Sequence, residues 1–147
     1  MKINIVSVGR IKEQYYLSAI EEYIKRLSAY CVVEQTVITE MTCDNNLYKE
    51  GQKLLPKLNG YVIVLDRLGT QLDSIELAQR IDKIGLSNST ITVVIGSTDG
   101  LDDNVKKRAD LLLSFSPMTL PHSLAKVVLA EQLYRAYTII NNGKYHH

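Results

Sequence analysis

Thr90-Ile-Thr-Val-Val-Ile-Gly-Ser-Thr-Asp-Gly100 is the stretch on which the fold class turns. Thr90–Ile95 is an uninterrupted β-branched run, as expected of a strand buried on both faces of a sheet. Gly96 and Gly100 follow at once and bound a strand-to-helix turn where the backbone can approach a ligand closely. Taken alone, the two glycines serve an ordinary turn equally well.

On either side of this stretch, strand and helix patterns alternate. Lys2–Val8 predicts a strand with Ile3 and Ile5 inward and Val6 and Val8 as further inward candidates. From about Lys12 to Ala29, the residues Tyr16, Ile20, Tyr23, Ile24 and Leu27 form one helical stripe. Cys31–Ile38 reads as a strand, Thr39–Asn46 as a polar loop, and Leu47–Leu58 as a helix that Pro56 weakens near its end. Tyr61–Leu65 is a second buried strand, closed by the turn Asp66-Arg-Leu-Gly69. Asp73 and Glu76 have capping-box spacing for a helix running to about Ile84. Beyond Gly100 come a short helix near Asp102–Ala109, a strand at Leu111–Phe115 and a long helix opened by Pro121 and running to about Ile140. This order predicts an α/β fold, a mainly parallel sheet covered by helices, with ligands beyond the carboxyl ends of the strands. Three such ends stand out: Leu65-Asp66, Gly96–Gly100 and Phe115–Leu120.

The 147 residues suffice for a single domain, 1–147, with a sizeable core, and no linker or repeat divides them. A composition 46% hydrophobic and 22% charged excludes a disordered chain. No apolar run approaches the ~20 residues that span a bilayer. The opening MKINIVSVGR reaches a polar turn too soon for a signal peptide. Cys31 and Cys43 form neither a CxxC pair nor a framework, which points to a reducing, cytoplasmic setting. The net charge of +1 argues at first against a nucleic-acid partner, but the charge is uneven. Residues 1–30 carry five basic and three acidic side chains, 31–103 six and eleven, and 104–147 six and two. A basic end can face a phosphate backbone in a chain that is neutral overall, although charge also clusters by chance.

Several chemistries lack their residues. Ser7-Val-Gly-Arg10 stands where a dinucleotide site needs G-x-G-x-x-G, and Walker A, H-E-x-x-H and paired Cys/His sets are missing, so no metal is expected. Ser114-Phe-Ser-Pro-Met-Thr-Leu-Pro121 is a stiff segment, either a plain crossover loop or a main-chain cradle for an adenine or ribose. His122 lies in the first turn of the last helix, placed to contact a phosphate or simply at the surface. Arg135 has Glu131 four residues earlier, the spacing of a routine helix pair. Lys144, Tyr145 and His146 offer the charge, ring and imidazole that hold an unpaired RNA base, unless this chain end frays.

In order along the chain stand Val8-Gly9, Lys49-Glu-Gly51, Val64-Leu-Asp66 with Gly69, Ile95-Gly96 with Asp99-Gly-Leu101, Leu113-Ser-Phe-Ser116, Met118-Thr-Leu-Pro-His122, Glu131-Gln-Leu-Tyr-Arg-Ala136 and Tyr145-His146. Together these strings resemble the bacterial RlmH family of SPOUT-superfamily methyltransferases over essentially the whole chain. The resemblance implies a SPOUT-type fold whose C-terminal part threads a trefoil knot, and a homodimer. It implies S-adenosylmethionine held bent in the knot loops near the subunit interface, with no metal and no membrane. The implied reaction is methylation of N3 of a pseudouridine in large-subunit (23S) rRNA on the assembled ribosome. Carried over by position, the cofactor contacts are Leu65, Gly96, Phe115, Ser116, Pro117, Met118, Thr119 and Leu120. The catalytic, RNA-side residues are His122, Arg135, Tyr145 and His146, contributed across the dimer interface. Ser97 departs from a usual glycine, Lys126 from a usual arginine and His147 from a common basic end, and the Thr39–Asn46 loop is short for the family. A SPOUT enzyme with another RNA target and a non-catalytic RNA- or ribosome-binding dimer are the alternatives.

Overall fold

The computed structural model describes residues 1–147. Its strands are β1 (Lys2–Val8), β2 (Val32–Ile38), β3 (Tyr61–Gln71), β4 (Thr90–Ile95) and β5 (Leu111–Ser114). Its helices are α1 (Gln14–Leu27), α2 (Asn46–Leu54), α3 (Ser74–Gly85), α4 (Asp103–Arg108) and α5 (His122–Ile140). The strands form one sheet in the order β2-β1-β4-β3-β5, and every pairing is parallel. Parallel neighbours need long crossovers, which the helices supply, so both faces of the sheet are covered.

Alternation along the strands sorts the core into two halves. Ile3, Ile5, Ile63, Ile91, Val93, Ile95, Leu111 and Leu113 pack with α1, α3 and α5. Val6, Val8, Val62, Val64 and Val94 point to the other face and pack with Leu54, Leu58, Leu101 and Val105. Val6 and Val8 are thus inward, as expected, but on the face opposite Ile3 and Ile5. β4 is central and β1 and β3 flank it, so the strand read first from the sequence is the axis of the sheet.

Two elements differ from expectation in ways that matter. The strand expected to end at Leu65 continues to Gln71, and both Leu65 and Thr70 pair with Leu113. Asp66–Gly69 therefore loops out of β3 and returns to the same partner strand. An Asx-type bond from Leu68 N–H to Asp66 Oδ1 (3.0 Å) shapes this excursion. A Cβ on Gly69 would lie 2.6 Å from the Leu112 carbonyl oxygen, so only glycine lets the two backbones close again. The helix expected over Leu47–Leu58 gives way after Leu54 to a 3-10 turn at Leu55–Lys57, where Pro56 supplies no N–H. Other boundaries fall within two residues of the sequence reading, and the Asp73–Glu76 capping box is made in both directions, at 2.8 and 2.7 Å.

The C-terminus does not fray. Asn142 takes a left-handed conformation (φ 57°), its N–H reaches Ile139 O at 3.1 Å, and Gly143 N–H reaches Thr138 O at 2.6 Å. This Schellman pair satisfies the last carbonyls of α5 and turns the tail back along the helix. Cys31 and Cys43 are free thiols, and burial pushes the Cys31 thiol up to about 11, so it stays protonated. No helix is long and apolar enough to cross a membrane.

Leu129 is 1% exposed where α5 meets the sheet and is part of the larger core half. Leu129→Ala is expected to cost about 2–5 kcal/mol in urea unfolding. A loss below about 1 kcal/mol would mean that α5 is not the packed spine described here.

Candidate functional site

Beyond the carboxyl ends of β3, β4 and β5 lies a cavity of about 590 Å³. That is within the range of pockets that enclose a small organic molecule. Leu65, Ile95, Leu113, Phe115 and Leu120 make its walls largely apolar. The excursion after Leu65 adds Asp66 and Arg67, and Lys106 of α4 closes another side. Lys106 Nζ stands 3.6 Å from Asp66 Oδ2, and Arg67 Nη1 donates to the Pro117 carbonyl at 3.3 Å. These contacts tie the β3 excursion to α4 and to the Phe115–Leu120 segment.

Backbone, rather than side chain, forms the tightest part of the wall. A Cβ on Gly96 would fall 2.6 Å from Gly100 O and 2.7 Å from Leu101 Cγ. Gly100 has φ +95° and its N–H bonds Ser97 O at 3.0 Å, closing a tight turn. On the facing side, Ser116 Oγ accepts from Met118 N–H (2.9 Å), and Ser114 Oγ donates to Arg67 O (2.9 Å). The N–H groups of Thr119 and Leu120 have no backbone acceptor, so the segment offers free main-chain donors.

Of the residues expected to hold a cofactor, Leu65, Gly96, Phe115, Ser116, Met118, Thr119 and Leu120 line this cavity, whereas Pro117 only braces Arg67. His122 is in the wall as well, but its Nε2 is buried, has no hydrogen-bond partner and would lie 3.6 Å from a Gly9 Cβ. Asp66, Ser97 and Thr98, which belong to the strand ends expected to face a ligand, line the cavity too, whereas Arg67, Lys106 and Ala125 line it without having been expected there. Arg67 was legible only as part of a turn, because a strand that leaves its ladder and rejoins it has no periodicity of its own.

Arg135, Tyr145 and His146 come together elsewhere. Arg135 Nε and Nη2 donate to Glu131 Oε1 at 2.9 and 2.6 Å, and Tyr145 OH donates to the same oxygen at 3.0 Å. The Arg135 guanidinium lies over the Tyr145 ring at 4.6 Å, and Tyr134 meets that ring edge-on at 4.7 Å. Arg135 Nη1 is 3.1 Å from His146 Nδ1. A guanidinium can only donate, so Nδ1 accepts and the ring proton of neutral His146 sits on Nε2. The routine Glu131–Arg135 pair thus exists and is also what pins the tail. Arg135 lies thirteen positions after His122 in α5, which is roughly 20 Å along a helix. One chain does not bring the tail cluster to the cavity.

The basic C-terminal third is divided as well. Lys106, Lys107 and Arg108 belong to α4 on one face of the sheet, while Lys126 and Arg135 belong to α5 on the other. Lys126 is 6% exposed, donates to Ser7 Oγ at 3.2 Å, and is pushed below the usual ammonium range by its burial. The charge excess is therefore not one continuous phosphate-binding surface.

The chain that builds this cavity matches a known class along its length. A family profile described as "Predicted SPOUT methyltransferase" matches residues 1–146. The chain is 47% identical to "Ribosomal RNA large subunit methyltransferase H" of Caldicellulosiruptor bescii, over 98% of this chain and 99% of that one. It is 42% identical to the protein of the same name from Natranaerobius thermophilus, over the full length of both. Among solved structures, a probable methylase family protein from Haemophilus influenzae Rd KW20 is similar in fold, with a TM-score of 0.59 at 15% identity over 99% of this chain and 70% of that one. The SpoU methyltransferase AviRb from Streptomyces viridochromogenes gives 0.50 at 12% identity, over 96% of this chain and 61% of that one. The chain belongs to the SPOUT methyltransferases and, within them, to the RlmH family.

Loss of solvation and the bond to Glu131 push the Tyr145 phenol up to about 12. Because the folded value lies above that of a free phenol, the neutral ring's contribution to stability is complete below about pH 10 and is lost as pH rises through about 12. In a difference absorbance titration of the protein against Tyr145→Phe, the extra phenolate is expected to appear near pH 12. Its appearance near pH 10 would mean that the tail is not held on Glu131.

Proposed function

We propose that the whole chain, residues 1–147, is one catalytic domain that transfers the methyl group of S-adenosylmethionine to N3 of a pseudouridine in 23S rRNA of the assembled ribosome, in the cytoplasm. The observation that carries this reading is the glycine-bounded, apolar cavity at three adjacent strand ends in a chain of the RlmH family. Leu65, Gly96, Phe115, Ser116, Met118, Thr119 and Leu120 would hold the cofactor, with Pro117 fixing the segment from behind. Two features favour the fit: only a glycine at 96 lets the turn in the cavity wall close against Gly100 and Leu101, and the N–H groups of Thr119 and Leu120 are free. When bound, S-adenosylmethionine supplies a methyl group already activated on a sulfonium sulfur.

The chain itself then has modest tasks: to hold N3 in line with that methyl group, to exclude water and to ease loss of the imide proton. Arg135 and the Nε2–H of His146 are both donors in this arrangement, suited to the negative charge that spreads onto the pyrimidine carbonyls as the proton leaves. Tyr145 presents a ring against which the target base can stack. The roughly 20 Å between cavity and tail favours a homodimer in which each tail serves its partner's cavity. In this reading the segment from β5 to α5 is threaded as the trefoil knot of the SPOUT fold. No metal has a role in it.

Methyl transfer to purified ribosomes lacking the modification, with mapping of the product nucleoside, tests this directly. Methylation at N3 of a pseudouridine is expected; a methyl group at any other position contradicts the assignment. Absence of S-adenosylmethionine binding at millimolar ligand in calorimetry would leave only a non-catalytic RNA-binding dimer. Deleting Tyr145–His147 is expected to lower kcat by about 100-fold or more, the scale of lost donors at a reacting group, while cofactor affinity stays within about twofold. Unchanged turnover would remove the tail from the mechanism.

A further inference from the structure

The string Lys49-Glu-Gly51 has no place in the cavity, yet α2, which carries it, touches the glycine turn at three points. Glu50 is 1% exposed, although it is a carboxylate. Its Oε2 accepts from Met41 N–H at 2.7 Å, and its Oε1 is 3.5 Å from the buried Ser97 hydroxyl, which donates to it. Buried carboxylates are costly unless they are held by donors, so the position calls for a reason beyond packing. One turn earlier, Asn46 Nδ2 donates to Asp99 Oδ2 at 3.0 Å. One residue later, a Cβ on Gly51 would stand 2.9 Å from Asp102 Cβ, so the helix and the far end of the turn are in direct contact. Ser97, Asp99 and Asp102 span the segment that begins at Gly96 and carries Gly100, the part of the cavity wall made of backbone.

We propose that Asn46 and Glu50 of α2 are positioning residues that set the conformation of the Gly96–Asp102 turn and thereby the affinity for S-adenosylmethionine. The inference rests on the cofactor assignment proposed above. Glu50 has a second effect through its other oxygen: it fixes Met41, so the connection from β2 to α2 is anchored to the same strut. Ser97 takes part because it has a hydroxyl. A glycine there would leave Glu50 Oε1 without this donor. α2 thus acts as a clamp behind the turn, without touching the ligand, and its effect appears in cofactor binding rather than in the chemical step.

Asn46 and Asp99 lie at or near the surface, so Asn46→Ala and Asp99→Ala leave the core intact. Each is expected to raise the calorimetric Kd for S-adenosylmethionine and its KM by about threefold to tenfold, with kcat at saturating cofactor within about twofold of wild type. The double variant is expected to be no weaker than the stronger single one, as for two ends of one contact. Glu50→Ala is expected to raise Kd by more than about tenfold, and Glu50→Gln, which can still accept from Met41 N–H and bond Ser97, to restore it to within about threefold. If Glu50→Ala does not fold, the Asn46 and Asp99 variants decide the matter. Wild-type binding with unchanged Kd in those two variants overturns the clamp alone. Failure of the wild type to bind overturns the cofactor assignment and the clamp with it.

Discussion

α5 is a single uninterrupted helix of 19 residues, and its rigidity constrains everything else. Its first turn enters the wall of the cavity with His122, its middle packs Leu129 and Leu133 into the core and carries Glu131, and Arg135 follows one turn after Glu131. A helix cannot shorten, so these two ends of the chemistry stay roughly 20 Å apart in any one chain. The Schellman turn at Asn141–Gly143 then brings Tyr145 and His146 back to Arg135, not to the cavity. In the function proposed above, the cavity and the tail cluster are two half-sites carried at different points along one rod. On that proposal, a second copy with its rod in the opposite sense would complete both sites by one symmetry operation.

The second constraint is how closely backbone approaches backbone around the cavity. At Gly69 and Gly96 a side chain would strike a carbonyl oxygen at 2.6 Å, and at Gly100 the backbone has a positive φ. These glycines allow three strand ends to converge around one apolar space. The clamp from α2 and the ties from Arg67 to Pro117 and from Lys106 to Asp66 then join these loops to one another and to the neighbouring helices. Ordering such loops in advance lowers the entropy lost when a ligand binds.

Much of this was legible before any coordinates. The β-branched run at Thr90–Ile95 marked the central strand because a strand covered on both faces needs apolar residues without alternation. The three strand ends chosen from the sequence are the three that meet at the cavity. Less was legible where structure depends on contacts distant in sequence. The β3 excursion depends on β5, which lies some 45 residues later. The tail reads as a chain end until Glu131 is seen to accept from both Arg135 and Tyr145. The charge run reopened a nucleic-acid partner but did not locate a surface for it: counting by position could not show that α4 and α5 cover opposite faces, or that Lys126 is buried. Glu50 was legible only as a member of the family-like string Lys49-Glu-Gly51, and its burial was not, since a buried acid and a solvated one look alike in a polar helix.

The division of labour between two subunits is tested most directly by pairing two inactive variants. Gly96→Val forces apart the turn that forms the cavity wall, and deletion of Tyr145–His147 removes the tail. Coexpressed with different tags and purified as heterodimers, the pair retains one intact cavity on one subunit and one intact tail on the other. The account predicts recovery to about half the wild-type methylation rate per dimer, because one of the two composite sites is complete. Heterodimers as inactive as either variant alone would show that cavity and tail must work within the same chain, and would contradict it.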